Sequence, residues 1–216
     1  MKLFSKTNIN YTDDVFFDTK SVEVGHHKLL YKNVPMIKCP FDYVMYQMII
    51  FEVKPDLIIE IGTNRGGTAL YLADLLTLSG CGVVHTMDIV DIRFDEMKQH
   101  ERIRFFSGGF EGYDLKNTEG FERILIIEDG SHLYSDVKAT LEKFKSVVSL
   151  DSYFIIEDGI LDKLGWKDEY DGGPNKAIKE FIKKNPSYII DRKWCDMFGT
   201  NATFNTNGFL KKLNRC

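Results

Sequence analysis

The chain has few cysteines, and none at a telling spacing. Cys39, Cys81, Cys195 and Cys216 are scattered, with no CxxC pair and no histidine at zinc-finger distance, which argues against structural zinc and against a disulfide framework. Long apolar runs are missing too. The longest, Val44 to Phe51, is interrupted by Tyr46 and Gln47 and falls far short of the roughly 18 residues of a bilayer span. A basic excess is absent: the net charge is −4 and the pI about 5.8, so no broad nucleic-acid-binding face is expected. The opening "MKLFSKTNINYTDDVFF" carries two aspartates where a secretory leader would be apolar. These absences together predict a cytoplasmic protein with neither a membrane nor a nucleic acid as partner. Self-association is compatible with such a chain.

What is present is an ordinary globular composition, 44% hydrophobic and 28% charged over 216 residues, enough for one sizeable core. Apolar β-branched runs alternate with helix-like stretches. "DLIIEIG" (56–62), "GVVHTMDI" (82–89), "RIRFFSG" (102–108), "RILIIEDG" (123–130), "SYFIIEDG" (152–159), "SYIIDR" (187–192) and "ATFNTNGFLKKL" (202–213) read as strands or strand-like elements. "GGTALYLADLLTL", "YSDVKATLEKFKSVV" (134–148) and "NKAIKEFIKKN" (175–185) read as helices. That alternation predicts an α/β fold: a Rossmann-like, doubly wound, mostly parallel seven-stranded sheet with helices on both faces. Residues 1–43 do not fit the rhythm and are read as an N-terminal extension or lid, with 44–216 as the domain proper. "KCPFDYVMYQMIIFEVKP" is expected to be a helix leading into the first strand.

The first strand ends in "EIGTNRGG". This is neither G-x-G-x-x-G nor a P-loop, whose lysine is missing. It combines a strand-tip carboxylate, Glu60, with a glycine turn at Gly62 and Thr63 and a helix N-terminus. An acid there suits a cationic or hydroxyl-rich ligand better than a pyrophosphate. The second strand ends in Asp88, where folds of this kind place an acid on ribose hydroxyls. Glu-x-Gly after strand one resembles the cofactor loop of Rossmann-fold methyltransferases that use S-adenosylmethionine (SAM).

"IIEDG" occurs twice, at 126–130 and 155–159. If the two strands are parallel neighbours, both copies end at the carboxyl edge of the sheet and gather Glu128, Asp129, Glu157 and Asp158 in one region. Uncompensated carboxylates are expensive to gather. A divalent cation with hard oxygen ligands, Mg²⁺ most simply and Mn²⁺ or Ca²⁺ otherwise, would relieve them. His132 follows the first copy in "EDGSHLYSDV", in a loop, with a side chain suited to act as general base for a substrate hydroxyl.

Together "KPDLIIEIGTNRGGTALYLADLL", "IIEDGSHLYSDV" and "SYFIIEDG" resemble the group of cephalosporin-hydroxylase-like proteins, rhamnosyl O-methyltransferases and macrolide-sugar O-methyltransferases over roughly residues 30–210. The resemblance implies a class I SAM-dependent methyltransferase. By motif it makes Asp129, Glu157 and Asp158 ligands of Mg²⁺, His132 the base, and Glu128 a bystander. Glu60, Gly62, Thr63, Asp88 and Asp129 fall on the cofactor side, and Asp129 serves the catalytic side as well. The expected reaction is metal-dependent methyl transfer from SAM to a hydroxyl of a small molecule, with a sugar or glycosylated metabolite foremost. An oxidative enzyme of the same family is disfavoured because its iron would want two histidines and a carboxylate. A non-catalytic SAM- or metal-binding subunit is the remaining alternative. The polar loop after the second "IIEDG", with Trp166 and Tyr170, is read either as a lid over substrate or as a plain surface connection, and Trp194 and Phe198 as core residues.

Overall fold

The computed structural model describes residues 15–214. The first 14 residues of the predicted extension therefore lie outside the described residues.

The main sheet has seven strands: β1 (Leu57–Ile61), β2 (Val83–Asp88), β3 (Ile103–Ser107), β4 (Ile124–Glu128), β5 (Tyr153–Ile156), β6 (Tyr188–Ile190) and β7 (Phe209–Lys212). Their spatial order is 3-2-1-4-5-7-6. β1 to β5 are mutually parallel, and β7 runs antiparallel between β5 and β6. Every residue of β1, β4 and β5 is buried, because helices cover both faces. Two helices, α2 (Pro40–Val53) and α3 (Gly67–Ser79), pack Met45, Ile49, Leu72 and Leu76 on one face, against Ile58, Leu125, Ile127 and Ile155. The other face takes α4 (Tyr134–Phe144) and α5 (Gly173–Lys184), which bring Val137, Leu141, Ala177 and Phe181 onto Leu57, Ile59, Ile126 and Phe154. The alternation of β-branched residues along each strand thus feeds two separate cores.

Ahead of α2 stand α1 (Thr19–His26) and a two-residue hairpin, Leu30–Tyr31 with Val34–Pro35. Lys32 and Asn33 at its turn both have positive φ, as a tight hairpin of the primed type requires. The hairpin is pinned to α3 by the Tyr31 hydroxyl on Asp74 (2.7 Å) and by the ion pair of Lys32 with the same carboxylate. The boundary predicted at residue 43 falls inside α2, which runs unbroken from Pro40; Met36 and Met45, on either side of it, share one core cluster. Trp194 is buried as expected and donates to the Tyr153 hydroxyl. Phe198 departs from expectation. It is exposed and stacks on Phe41 at the surface, 5.1 Å between ring centres. No helix among the described residues is long and apolar enough to cross a membrane.

Candidate active site

The sheet order reverses between β1 and β4, and open α/β sheets bind ligands outside the carboxyl ends of the strands at that point. A cavity of about 590 Å³ opens there. Backbone packing shapes its floor. Gly62, just past β1, has φ +96°, and a Cβ at that position would come within 1.9 Å of the Asp129 carbonyl oxygen. Only glycine lets the exits of β1 and β4 approach this closely.

One half of the cavity is formed by the turn after β1 and the tip of β2. Gly62, Thr63, Asn64, Thr68 and Asp88 line it. Asp88 is held by the backbone around it: Oδ2 accepts from the Asn64 amide and Oδ1 from the Ile89 amide, each at 2.8 Å. Glu60 does not reach this half. It lies fully buried one layer beneath, where Thr86 donates to one carboxylate oxygen and itself pairs with the Thr63 hydroxyl. The other oxygen, Oε1, has no partner. Burial lifts the Glu60 carboxyl to about 8, so it is largely a neutral acid at pH 7. Glu60, expected on the cofactor side, does not line the cavity itself and is linked through Thr86 to Thr63, which does.

The opposite half gathers the residues that follow β4 and β5. Asp129, His132 and Asp158 all line the cavity, with ligand atoms within 4.8 Å of one another. His132 Nε2 stands 3.2 Å from Asp158 Oδ2 and 4.0 Å from Asp129 Oδ1. His132 and Asp158 both hold left-handed backbones, φ 60° and 55°, a conformation that concentrates at functional sites. Burial opposes charge on the His132 imidazole, but the carboxylates of Asp158, Asp129 and Glu128 outweigh it and raise its pKa. Burial raises Asp129 as well, with Asp158 adding to the effect and Lys38 opposing it.

The two "IIEDG" copies are adjacent, as expected, but one residue out of step. Glu128 pairs in register with Ile156, and Ile127 with Ile155. Continuing the ladder sets Asp129 beside Glu157. A one-residue offset sends equivalent side chains to opposite faces of the sheet, so Glu128 and Glu157 part company. Glu128, expected as a bystander, lines the cavity; its Oε2 is buried without a partner and burial lifts its carboxyl to about 7. Glu157 turns toward α2, where its Oε1 accepts from the Tyr46 hydroxyl (2.6 Å) and its Oε2 from the Lys38 ammonium. Lys38 also donates to Asp129 Oδ2 at 3.0 Å. The structure thus brings Asp129, Asp158 and His132 together at the cavity and holds Glu157 behind Lys38.

Lys38 and Tyr46 were not singled out from sequence. A lysine ahead of an apolar helix carries no local sign of burial, and its partners lie 91 and 119 residues away. The remaining wall comes from Ile160, Leu161, Trp166 and Tyr170 of the segment after β5, from Phe204, and from Glu23 and His26 of α1 with His27 just past its end. Those last three form a second group of metal-binding types, but they satisfy one another: His27 pairs with Glu23, and His26 Nδ1 meets the Glu23 carbonyl.

Hard carboxylate oxygens from Asp129 and Asp158, beside the unpartnered Oε2 of Glu128, fit a cationic ligand.

Comparison with known proteins agrees with this architecture. A rhamnosyl O-methyltransferase of Mycobacterium leprae (strain TN) is 27% identical over 215 residues, covering 91% of this chain and 93% of the relative. A rhamnosyl O-methyltransferase of Mycobacterium bovis (strain BCG / Pasteur 1173P2) is 27% identical over 210 residues, 88% of this chain and 84% of the relative. In fold, the chain resembles a solved CmcI structure with SAH at a TM-score of 0.69 and 17% identity, covering 94% of this chain and 88% of that one. The O-methyltransferase NovP is similar at a TM-score of 0.56 and 16% identity, over 81% and 80% of the two chains. The sheet order and its antiparallel β7 are therefore those of the class I methyltransferase fold. The family model for rhamnosyl O-methyltransferase/CmcI matches residues 25–213, a span that holds every residue of the cavity except Glu23, and the chain belongs to that family of O-methyltransferases.

Proposed function

We propose that this protein transfers a methyl group from SAM to a hydroxyl of a small molecule, with a sugar or glycosylated metabolite as the acceptor, assisted by Mg²⁺ or another divalent cation. The observation that carries the reading is that the loop after β1, with Asp88, and the group of His132, Asp129 and Asp158 line one continuous cavity. A rhamnosyl O-methyltransferase among the relatives and a CmcI structure named with Mg and SAM support the class of acceptor and the two cofactors.

When bound, SAM supplies the electrophilic methyl and the divalent cation lowers the pKa of an acceptor hydroxyl. The chain's own residues do the rest. Gly62 and Thr63 give a ligand close access to the backbone, and Asp88 offers a fixed carboxylate to a diol. His132 Nε2 accepts the acceptor hydroxyl's proton as the oxygen takes the methyl, and the sulfonium departs as a neutral thioether. Asp158, 3.2 Å from that nitrogen, stabilises the imidazolium that results. Trp166, Tyr170 and Phe204 line the same cavity, and aromatic rings suit the C–H faces of a sugar. Alignment of oxygen, methyl and sulfur supplies much of the rate.

Calorimetric titration with SAM, with and without Mg²⁺, tests the cofactor half, and methyl transfer to a rhamnose-terminated glycoside tests the acceptor half. Absence of SAM binding sinks the reading. SAM binding without transfer to any hydroxylated acceptor leaves a binding subunit instead.

A further inference from the structure

A second cavity adjoins the reaction site, and the proposed reaction gives it no task. It has a volume of about 910 Å³, within the range of small-molecule clefts. Its place follows from the second "IIEDG". Gly159 and Ile160 come directly after Asp158, and Ile160 lines both cavities, so this stretch of chain is a wall they share. Asn175, on the first turn of α5, fixes the wall. Its amide donates to the Gly159 carbonyl at 2.6 Å and to Thr206 Oγ1 at 3.1 Å, and its oxygen accepts from the Asn207 amide at 3.2 Å. A Cβ on Gly159 would come within 2.5 Å of the Thr206 carbonyl, so only glycine allows the segments to close up here.

This groove is partly apolar and carries a basic excess. Ile160 and Ile178 are buried along it, and Ile182 and Ile190 are half-buried. Lys179 and Lys183 stand one helical turn apart on α5, and Lys163 enters from the segment after β5. All three are exposed. Among the described residues no carboxylate pairs with any of them, whereas Lys176, one turn earlier on α5, is bound to Asp171. Asp162 is the only acid among the residues that line the groove, and it accepts from Asn175 at 3.2 Å. Three ammonium groups therefore meet one carboxylate. Like charges four apart on a helix oppose each other, and an anion between them relieves that repulsion.

We propose that this groove binds a phosphate-bearing small molecule of the nucleoside diphosphate class. Its phosphoryl oxygens meet Lys163, Lys179 and Lys183, each a compact point charge on a flexible stem, and its base lies on the isoleucines. A concave groove of this volume, with buried apolar residues between its lysines, fits a small ligand better than a flat membrane surface. The net charge of the chain is −4, so a basic excess confined to one groove also fits a small anion better than a nucleic-acid strand. The site is separate from the methyl-transfer reading and stands or falls without it.

The test is a calorimetric titration of the full chain with UDP and with inorganic pyrophosphate. EDTA is present, so that no divalent ion bridges either probe to the carboxylates of the reaction cavity. Wild type is expected to bind UDP more tightly than pyrophosphate, which leaves the isoleucines uncovered. The double variant Lys179→Gln/Lys183→Gln is expected to weaken UDP binding about fivefold or more, the size expected for two exposed ion pairs. Lys179→Arg/Lys183→Arg is expected to stay near wild type. So is Lys54→Gln/Lys116→Gln, which makes the same change of charge elsewhere. Saturating SAH is expected to leave UDP binding unchanged, because the cofactor half belongs to the other cavity. Absence of UDP binding, pyrophosphate binding as tight as UDP, or displacement of UDP by SAH overturns the proposal. A loss below about fivefold in Lys179→Gln/Lys183→Gln, or an equal loss in Lys54→Gln/Lys116→Gln, does the same. Co-sedimentation with phosphatidylglycerol vesicles tests a lipid headgroup as the source of phosphate, and binding to vesicles without binding to UDP also overturns it. If circular dichroism shows that Lys179→Gln/Lys183→Gln fails to fold, Lys163→Gln decides, with unchanged UDP affinity counting against the site.

Discussion

His132 Nε2 lies 3.2 Å from Oδ2 of Asp158, a contact between the loop after β4 and the loop after β5, and each residue reaches it through a left-handed backbone. Neither residue could adopt that geometry within a strand. The contact forms because both chains leave the sheet at neighbouring carboxyl edges and turn at once.

In the cation-free protein this pairing holds the His132 imidazole above its ordinary value of 6.5, against the effect of burial. Asp158→Asn should bring the titration down, read from the imidazole carbon-bound protons by NMR. An unchanged midpoint in that variant would show that Asp158 does not govern the base.

Removal of the base itself should cost about 10² to 10⁴ in turnover, the usual range for positioned proton transfer. His132→Ala is therefore expected to lose kcat by that factor while SAM affinity, measured by calorimetry, stays within about threefold. Near wild-type turnover would remove His132 from the chemistry.

Gly62 is the tightest backbone contact in the cofactor half. Gly62→Ala places a Cβ within 1.9 Å of the Asp129 carbonyl at a φ of +96°, so the exits of β1 and β4 must separate. A strain of about 1–3 kcal/mol is expected, seen as a lowered Tm together with weaker SAM binding. A variant with wild-type Tm and affinity would mean that the two exits part without cost.

Asp88 already holds two amides of its own turns, and its carboxylate is expected to accept from the cofactor's ribose. A hydrogen bond to a charged group contributes about 1.5–3 kcal/mol. Asp88→Ala should weaken SAM binding by about 10- to 100-fold and spare Mn²⁺ binding. Equal loss of both would point to collapse of the loop after β1.

The buried acids predict an unusual dependence of stability on pH. Burial lifts Glu60 to about 8, and Glu128 and Asp42 each to about 7, so the folded state binds more protons than the unfolded state from about pH 4 upward. Stability from these groups is present below their unfolded values and is lost as the pH rises through about 7 to 8. The Tm of the ligand-free protein should fall between about pH 5 and 8, and Glu60→Gln should flatten that slope. An identical slope in the variant would clear Glu60 of the effect.

The sequence by itself determined the strands, their order of appearance, and the placing of Asp88, Asp129 and Asp158 at carboxyl ends. β-branched runs, glycine turns and helical spacing are local signals, and the strand-tip acids sit inside them. His132 was legible for the same reason, as it follows a strand directly. Other features needed the tertiary structure because they depend on which residues meet across the sheet. Periodicity does not record the one-residue offset between β4 and β5, yet the offset sends Glu128 into the cavity and Glu157 away from it. Glu60 reads as a strand-tip ligand, but its position in the pleat turns it under the cavity toward Thr86. Lys38 meets Asp129 and Glu157 only because the segment before α2 packs across the sheet edge, and a contact spanning 119 residues leaves no trace in local pattern.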